Sequence, residues 1–222
     1  MEIVPSIIAR TYEEFETLIK KVEPFVNRVQ IDIMDGSFVQ NVTISGPEEL
    51  KTFFSKFPET KLKFEVHLMV TDPKEKIYRW FETPADKFLI HCESFTNNEG
   101  LGDSLICDIK DIIKANGRLV GVVLNPETSL ETIDSVVGEI DCVQLMGSEP
   151  GAYGAYFMEQ TIPRITEIHS RYPEIPIQVD CGMNPETGKR AVSAGASTLI
   201  VGSYIFNSPD PEKAIQELKA II

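Results

Sequence analysis

The sequence predicts an α/β protein folded as a single-domain (β/α)8 barrel of the TIM type spanning residues 1–222, and three observations carry that reading. Strand-like apolar runs alternate with helical patterns eight times along the chain. Such alternation implies a parallel sheet with helical crossovers. Eight units fill 222 residues with little left for insertions, as the barrel requires. Three of the runs, Val29–Met34, Phe64–Met69 and Ile177–Asp180, plant a polar group near the C-terminal end, where the strands of a parallel barrel meet at one mouth. A doubly wound open sheet is the rival architecture.

The expected strands are, in order, Ile3–Ile8, Val29–Met34, Leu62–Val70, Lys87–His91, Leu119–Leu124, Cys142–Met146, Ile177–Asp180 and Leu199–Gly202. After the first comes a helical pattern over Thr11–Val22. Its apolar positions are Phe15, Leu18, Ile19 and Val22, and Thr11 is placed as N-cap with Glu14 three residues on. Pro47 and Pro73 sit where first-turn prolines belong. Ser129–Val137, Tyr156–Arg171, Pro185–Ala194 and Pro211–Ile222 complete the helices. Thr96–Asp103, with two Asn and two Gly, reads as a loop on the mouth side because it follows the fourth strand.

Composition is that of an ordinary globular chain, 42% hydrophobic and 25% charged. No segment approaches the roughly 20 apolar residues of a membrane span. The first residues carry no basic, signal-like stretch, so a cytoplasmic protein is expected. A net charge of −13 disfavours nucleic acid and anionic membranes as partners. An anionic substrate would need a locally neutral or positive pocket. The four cysteines lack CxxC spacing and read as reduced, mostly buried thiols. Cys181, beside Asp180, is the one conceivable thiolate ligand, and in a regular strand it would point away from that carboxylate.

Side chains alternate along a strand, so Gln30, Asp32 and Met34 share a face, as do His67 with Met69 and Gln178 with Asp180. Two carboxylates and an imidazole at strand ends are the parts of a metal-assisted acid–base site. Asp35-Gly36 reads as a turn. His91 either supports the site through hydrogen bonds or is structural, and His169 reads as a surface residue late in a helix.

These words together resemble the ribulose-phosphate 3-epimerase family nearly end to end. The match includes Pro5-Ser6-Ile7, the run Asp32 to Val39 with Asn41 and Thr43, and Val66-His-Leu-Met-Val70. It continues through His91-Cys-Glu93, Leu124-Asn-Pro126, Met146 with Pro150-Gly151, Val179-Asp180, and Gly202-Ser203 with Phe206. The resemblance implies inversion of C3 of D-ribulose 5-phosphate to give D-xylulose 5-phosphate, with a divalent metal holding the ketone and hydroxyl oxygens. The family's two proton-transferring aspartates match Asp32 and Asp180, which also match metal ligands together with His67. Ser6 matches a hydroxyl near the substrate, and Met34, Met69 and Met146 match a thioether cap. A homo-oligomer is also implied.

The match breaks in four places, one of them Gln40, which stands where the family has a proline before Asn41. Gln30 stands where the family has a metal-ligand histidine. Its carbonyl oxygen can ligate, but as a harder and weaker donor, so among zinc, manganese, iron, cobalt and magnesium the affinity for zinc should fall and manganese or magnesium is favoured, the alternative being that no metal binds. The glycine-rich loop reads Pro150-Gly-Ala-Tyr-Gly-Ala155, and Cys181 interrupts the usual Asp-Gly-Gly. Phosphate is still expected on backbone N–H groups around Gly151, Gly154, Gly182, Met183, Gly202 and Ser203. The altered loops leave open another ketose phosphate, such as a hexulose 6-phosphate. Loss of the histidine leaves open a catalytically silent sugar-phosphate binder.

Overall fold

The computed structural model describes residues 1–44, 46–95, 102–151 and 154–221. Eight parallel strands close into one barrel in sequence order. They are β1 (Glu2–Ile7), β2 (Arg28–Met34), β3 (Lys63–Met69), β4 (Lys87–His91), β5 (Leu119–Leu124), β6 (Cys142–Met146), β7 (Ile177–Asp180) and β8 (Thr198–Val201). Each lies within two residues of its sequence-based expectation. β8 pairs with β1 through Leu199 and Ile3, so no strand edge is left open.

The helices are α1 (Tyr12–Val22), α2 (Glu48–Lys56), α3 (Pro73–Trp80), α4 (Gly102–Ala115), α5 (Thr161–Arg171), α6 (Pro185–Ala194), α7 (Ser203–Phe206) and α8 (Pro211–Lys219). They lay apolar stripes, such as Phe15, Ile19 and Val22 of α1, onto the outer face of the barrel. Thr11 caps α1 as expected, its hydroxyl accepting from Glu14 N at 3.3 Å. The Glu14 carboxylate reaches back one residue further, to Arg10 N.

Three expectations need correction. The helix expected over Ser129–Val137 is only a 3-10 turn at Leu130–Ile133, followed by further turns. Thr132, Ile133, Val136 and Val137 are β-branched, and Asp134 and Ser135 favour turns, so the stretch has little helical drive. The helix expected from Tyr156 starts at Thr161. Met158 N is taken by Gly147 O at 2.7 Å, and Pro163 fits only within a first turn. Of the loop expected at Thr96–Asp103, Gly102 and Asp103 belong to α4, and 96–101 lie outside the described residues.

Among the described residues no helix is long and apolar enough to cross a membrane. The four cysteines are free thiols, two of them buried.

Candidate active site

Alternation puts the same-parity residues of each strand inside the barrel, and here an unusual number are polar. Gln30, Glu65, His67, His91 and Gln144 are fully buried, and Asp32, Asp180, Gln178 and Ser6 nearly so. Strand register stacks them side by side: Ser6 is level with Gln30, Asp32 with His67, Met34 with Met69, and Met146 with Asp180.

At the C-terminal mouth the two aspartates converge. Nε2 of Gln30 donates to Asp32 Oδ1 and to Asp180 Oδ2, both at 2.8 Å, and lies 3.3 Å from His67 Nδ1. His67 Nδ1 stands 3.1 Å from Asp32 Oδ1 and 3.5 Å from Asp180 Oδ2. One ligand atom from each of Asp32, His67 and Asp180 falls within 4.8 Å of the others. Oε1 of Gln30, by contrast, is buried without a hydrogen-bond partner. That orphan oxygen bears on metal binding. Turning the amide would aim Oε1 at two carboxylates, an arrangement that an interposed cation makes favourable. Two carboxylate oxygens, one imidazole nitrogen and one amide oxygen form a donor set suited to a divalent ion.

The electrostatics follow from burial. Burial, reinforced by the Asp32 carboxylate, pushes the Asp180 carboxyl up to about 7, against the pull of His67, Gln30 and Cys181 N. Burial also pulls the His67 imidazole down, but the hydrogen bond and charge of Asp32, with Asp180 and Glu65 behind it, outweigh that and raise it. His91 is pulled down to about 4 by burial, with Glu93 opposing.

His91 hydrogen-bonds the site. Its Nε2 lies 2.9 Å from His67 Nε2, and its Nδ1 lies 3.1 Å from Glu93 Oε2. A carboxylate can only accept, so the proton of neutral His91 sits on Nδ1. His91 Nε2 therefore accepts from His67 Nε2–H, which leaves His67 Nδ1 facing the aspartates. Glu93 is itself held by Asn125 N at 2.9 Å and by the Thr128 hydroxyl.

Ser6, Met34, Met69, Met146, Gly151, Gly154, Gly182, Met183, Gly202 and Ser203 all line the cavity onto which Asp32, His67 and Asp180 open. Among the described residues, none of those lining it is Lys or Arg. Gln30 lies beneath that surface, behind the aspartates. Residues 152–153 of the glycine-rich loop lie outside the described residues.

Cys181 departs from expectation. The strand is not regular there: Cys181 adopts φ +75°, and its side chain packs inward against Leu89, Val123, Cys142 and Met146. The same turn swings its N–H onto Asp180 Oδ1 at 2.7 Å. Burial pushes the thiol well up. Gly182 follows at φ +68°, and a Cβ there would come within 2.7 Å of Phe157 N, so the backbone approach needs glycine.

Asp35 is a clamp, as its turn reading implies. Its Oδ1 accepts from Ser37 N and Phe38 N, and its Oδ2 from Thr71 N, the Thr71 hydroxyl and Lys76. Burial pushes its carboxyl up, but Lys76 and the backbone N–H groups win and hold it well below the usual carboxylate range. This stabilisation is therefore present at neutral pH and lost as pH falls below the ordinary carboxylate pKa. Asp35→Ala is expected to lower stability at pH 7 by about 1–2 kcal/mol in urea denaturation, with the Lys76 pair discounted for solvent screening. The difference from wild type should narrow in acid.

The Ribulose-phosphate 3 epimerase family model matches residues 2–206. The chain belongs to the ribulose-phosphate 3-epimerase family. It is 33% identical to the ribulose-phosphate 3-epimerase of Bacillus subtilis strain 168, over 99% of this chain and 98% of that protein. It is 31% identical to a chloroplastic ribulose-5-phosphate-3-epimerase of Arabidopsis thaliana, over 98% of this chain and 76% of that one. Among solved structures, 3-keto-L-gulonate-6-phosphate decarboxylase from Vibrio cholerae superposes with a TM-score of 0.76 at 11% identity, covering 99% of this chain and 96% of that one. That likeness speaks for the barrel alone. Membership of the epimerase family puts the chain among enzymes acting on carbohydrate phosphates.

Sequence reasoning passed over Glu65, Gln144 and the role of Glu93. A signal was present: Gln144 has the parity of Met146, and Glu65 that of His67 and Met69, so both had to point into the barrel.

Proposed function

We propose that the protein interconverts D-ribulose 5-phosphate and D-xylulose 5-phosphate in the cytoplasm, by proton removal at C3 and return on the opposite face. The observation that carries this reading is the convergence of the Asp32 and Asp180 carboxylates on one amide beside His67. A proton next to a ketone is a weak acid, so its removal needs a base and stabilisation of the charge that develops on oxygen. One aspartate takes the C3 proton while the other, protonated, delivers one to the far side. Without a metal, burial and the Asp32 charge hold the Asp180 carboxyl at about 7, and a bound cation would lower it. A divalent ion held by Asp32, His67, Asp180 and Oε1 of Gln30 would supply Lewis-acid stabilisation of the enediolate.

Met34, Met69 and Met146 keep water from the reacting carbon without offering competing hydrogen bonds. Ser6 is placed to meet a substrate hydroxyl. Backbone N–H groups around Gly151, Gly154, Gly182, Met183, Gly202 and Ser203 take the phosphate, in keeping with a cavity that lacks cationic side chains.

His91→Phe removes the acceptor that keeps the proton on His67 Nε2. It is expected to weaken manganese binding about tenfold by calorimetry while the circular dichroism spectrum stays that of the wild type. Turnover of ribulose 5-phosphate, followed by NMR beside a hexulose 6-phosphate and with manganese or zinc added, tests the proposed function. Preference for the pentulose phosphate supports it. Preference for the hexulose phosphate, or no turnover with any metal, overturns it.

A further inference from the structure

The interior of the barrel beneath Asp180 is a continuous polar ladder. On its floor Lys87 pairs with Glu65 at 2.9 Å, and the two are register partners on β4 and β3. Arg28, paired with Asp86 at 2.6 Å, lies 3.7 Å from the same Glu65. Lys87 Nζ donates to Oε1 of Gln178 at 2.8 Å. Nε2 of Gln178 donates to Glu65 Oε1 at 3.0 Å and to Oε1 of its register partner Gln144 at 3.2 Å. Nε2 of Gln144 then donates to Asp180 Oδ2 at 3.3 Å. Glu65, Gln144 and Gln178 are at most 1% exposed, so this part of the ladder is shut off from bulk solvent.

The direction of this ladder is dictated from its lower end. An ammonium can only donate and a carboxylate can only accept. Lys87 therefore requires the oxygen of Gln178, and Glu65 requires its nitrogen. The nitrogen of Gln178 then claims the oxygen of Gln144, and the one group left for Asp180 is the Gln144 NH2. A glutamine amide that could flip freely would present oxygen or nitrogen to Asp180 with little preference. Locked from below, it presents a donor.

We infer that Gln144 and Gln178, oriented by the Lys87–Glu65 pair, are positioning residues that fix the Asp180 carboxylate for its proton transfer. Neither amide touches the proposed substrate position as a catalytic group. Asp180 receives Cys181 N on one oxygen and Gln30 with Gln144 on the other, and Gln144 is the donor that reaches it from inside the barrel. Among the described residues the Asp32 carboxylate is hydrogen-bonded by Gln30 and His67 and not by this ladder. Disturbing the ladder should thus impair one of the two proton transfers and spare the other. This inference rests on the two-aspartate reading above.

The test uses Gln144→Met and Gln178→Met in the metal-loaded protein. In deuterated buffer each sugar epimer is supplied in turn, and early entry of deuterium at C3 of both epimers is read by NMR. Gln144→Met should shift the partition of deuterium between the epimers about tenfold from the wild-type ratio, with KM unchanged. Gln178→Met should shift it in the same direction. The double variant should be no worse than Gln144→Met alone, since both act along one route. Equal loss of deuterium entry into both epimers, or additive effects, overturns the inference. Failure of wild type itself to exchange C3 overturns the two-aspartate reading instead. Should either variant not fold, the wild-type protein decides by itself. With glutamine side chains labelled with nitrogen-15, the Gln144 NH2 should show a nuclear Overhauser effect to Met146, whose Sδ lies 3.9 Å from that nitrogen. Its absence overturns the ladder's polarity.

Discussion

Asp180→Asn is expected to lower turnover by about three orders of magnitude or more while the barrel stays folded, and Asp32→Asn to do the same. The amide has nearly the volume of the carboxylate and its oxygen can still accept from Cys181 N, although its NH2 then faces the donors Gln30 and Gln144. It cannot take or return a proton. Inversion needs both faces, so loss of either carboxylate stops it. The stability consequence depends on pH. Burial and the Asp32 charge push the Asp180 carboxyl up to about 7, so its ionised form costs the fold stability above the usual carboxylate range. Asp180→Asn loses an acceptor for Gln30 and Gln144 but removes that buried charge, so with a chelator present its stability deficit should be smaller at pH 8 than at pH 5. Activity lost together with stability would mean that the residue is merely structural. Full activity in either variant would remove it from the mechanism.

The second large effect is at Gln30. Gln30→His is expected to tighten zinc binding about 10- to 100-fold, read by competition with a chromophoric chelator. As it stands, Gln30 donates to both aspartates, and its Oε1 can ligate only if those two bonds are given up. Imidazole offers a softer nitrogen with no such prior engagement, and zinc favours nitrogen over amide oxygen. Affinity should also rise with pH in both proteins. The Asp32 carboxylate holds a proton on His67, and a metal must displace it. Zinc affinity unchanged by the substitution would place Gln30 outside the coordination sphere.

The strands were legible because short apolar runs bounded by turn residues leave few alternatives, and four of the eight were expected residue for residue, among them Lys87–His91 and Cys142–Met146. Asp32, His67 and Asp180 could be singled out because each is polar at the C-terminal end of such a run. Where the reading failed, longer-range physics decided. The chain from Tyr156 enters its helix late because Met158 is bound to Gly147, a partner that periodicity does not contain. Cys181 turns inward because it adopts a left-handed conformation, which strand parity does not anticipate. The ladder through Gln144, Gln178, Glu65 and Lys87 joins four different strands. Their inward parity was readable, but their mutual hydrogen bonds required the closed barrel and its register.

The central claim is that two carboxylates pass a proton across one carbon, and solvent exchange at that carbon tests it most directly. Purified protein is mixed with ribulose 5-phosphate in deuterated buffer with manganese, and the C3 proton is followed by NMR. Deuterium at C3 of newly formed xylulose 5-phosphate, lost in both Asp32→Asn and Asp180→Asn, is the expected result. Xylulose 5-phosphate formed with its C3 proton fully retained, or formation at the wild-type rate in either variant, would contradict it.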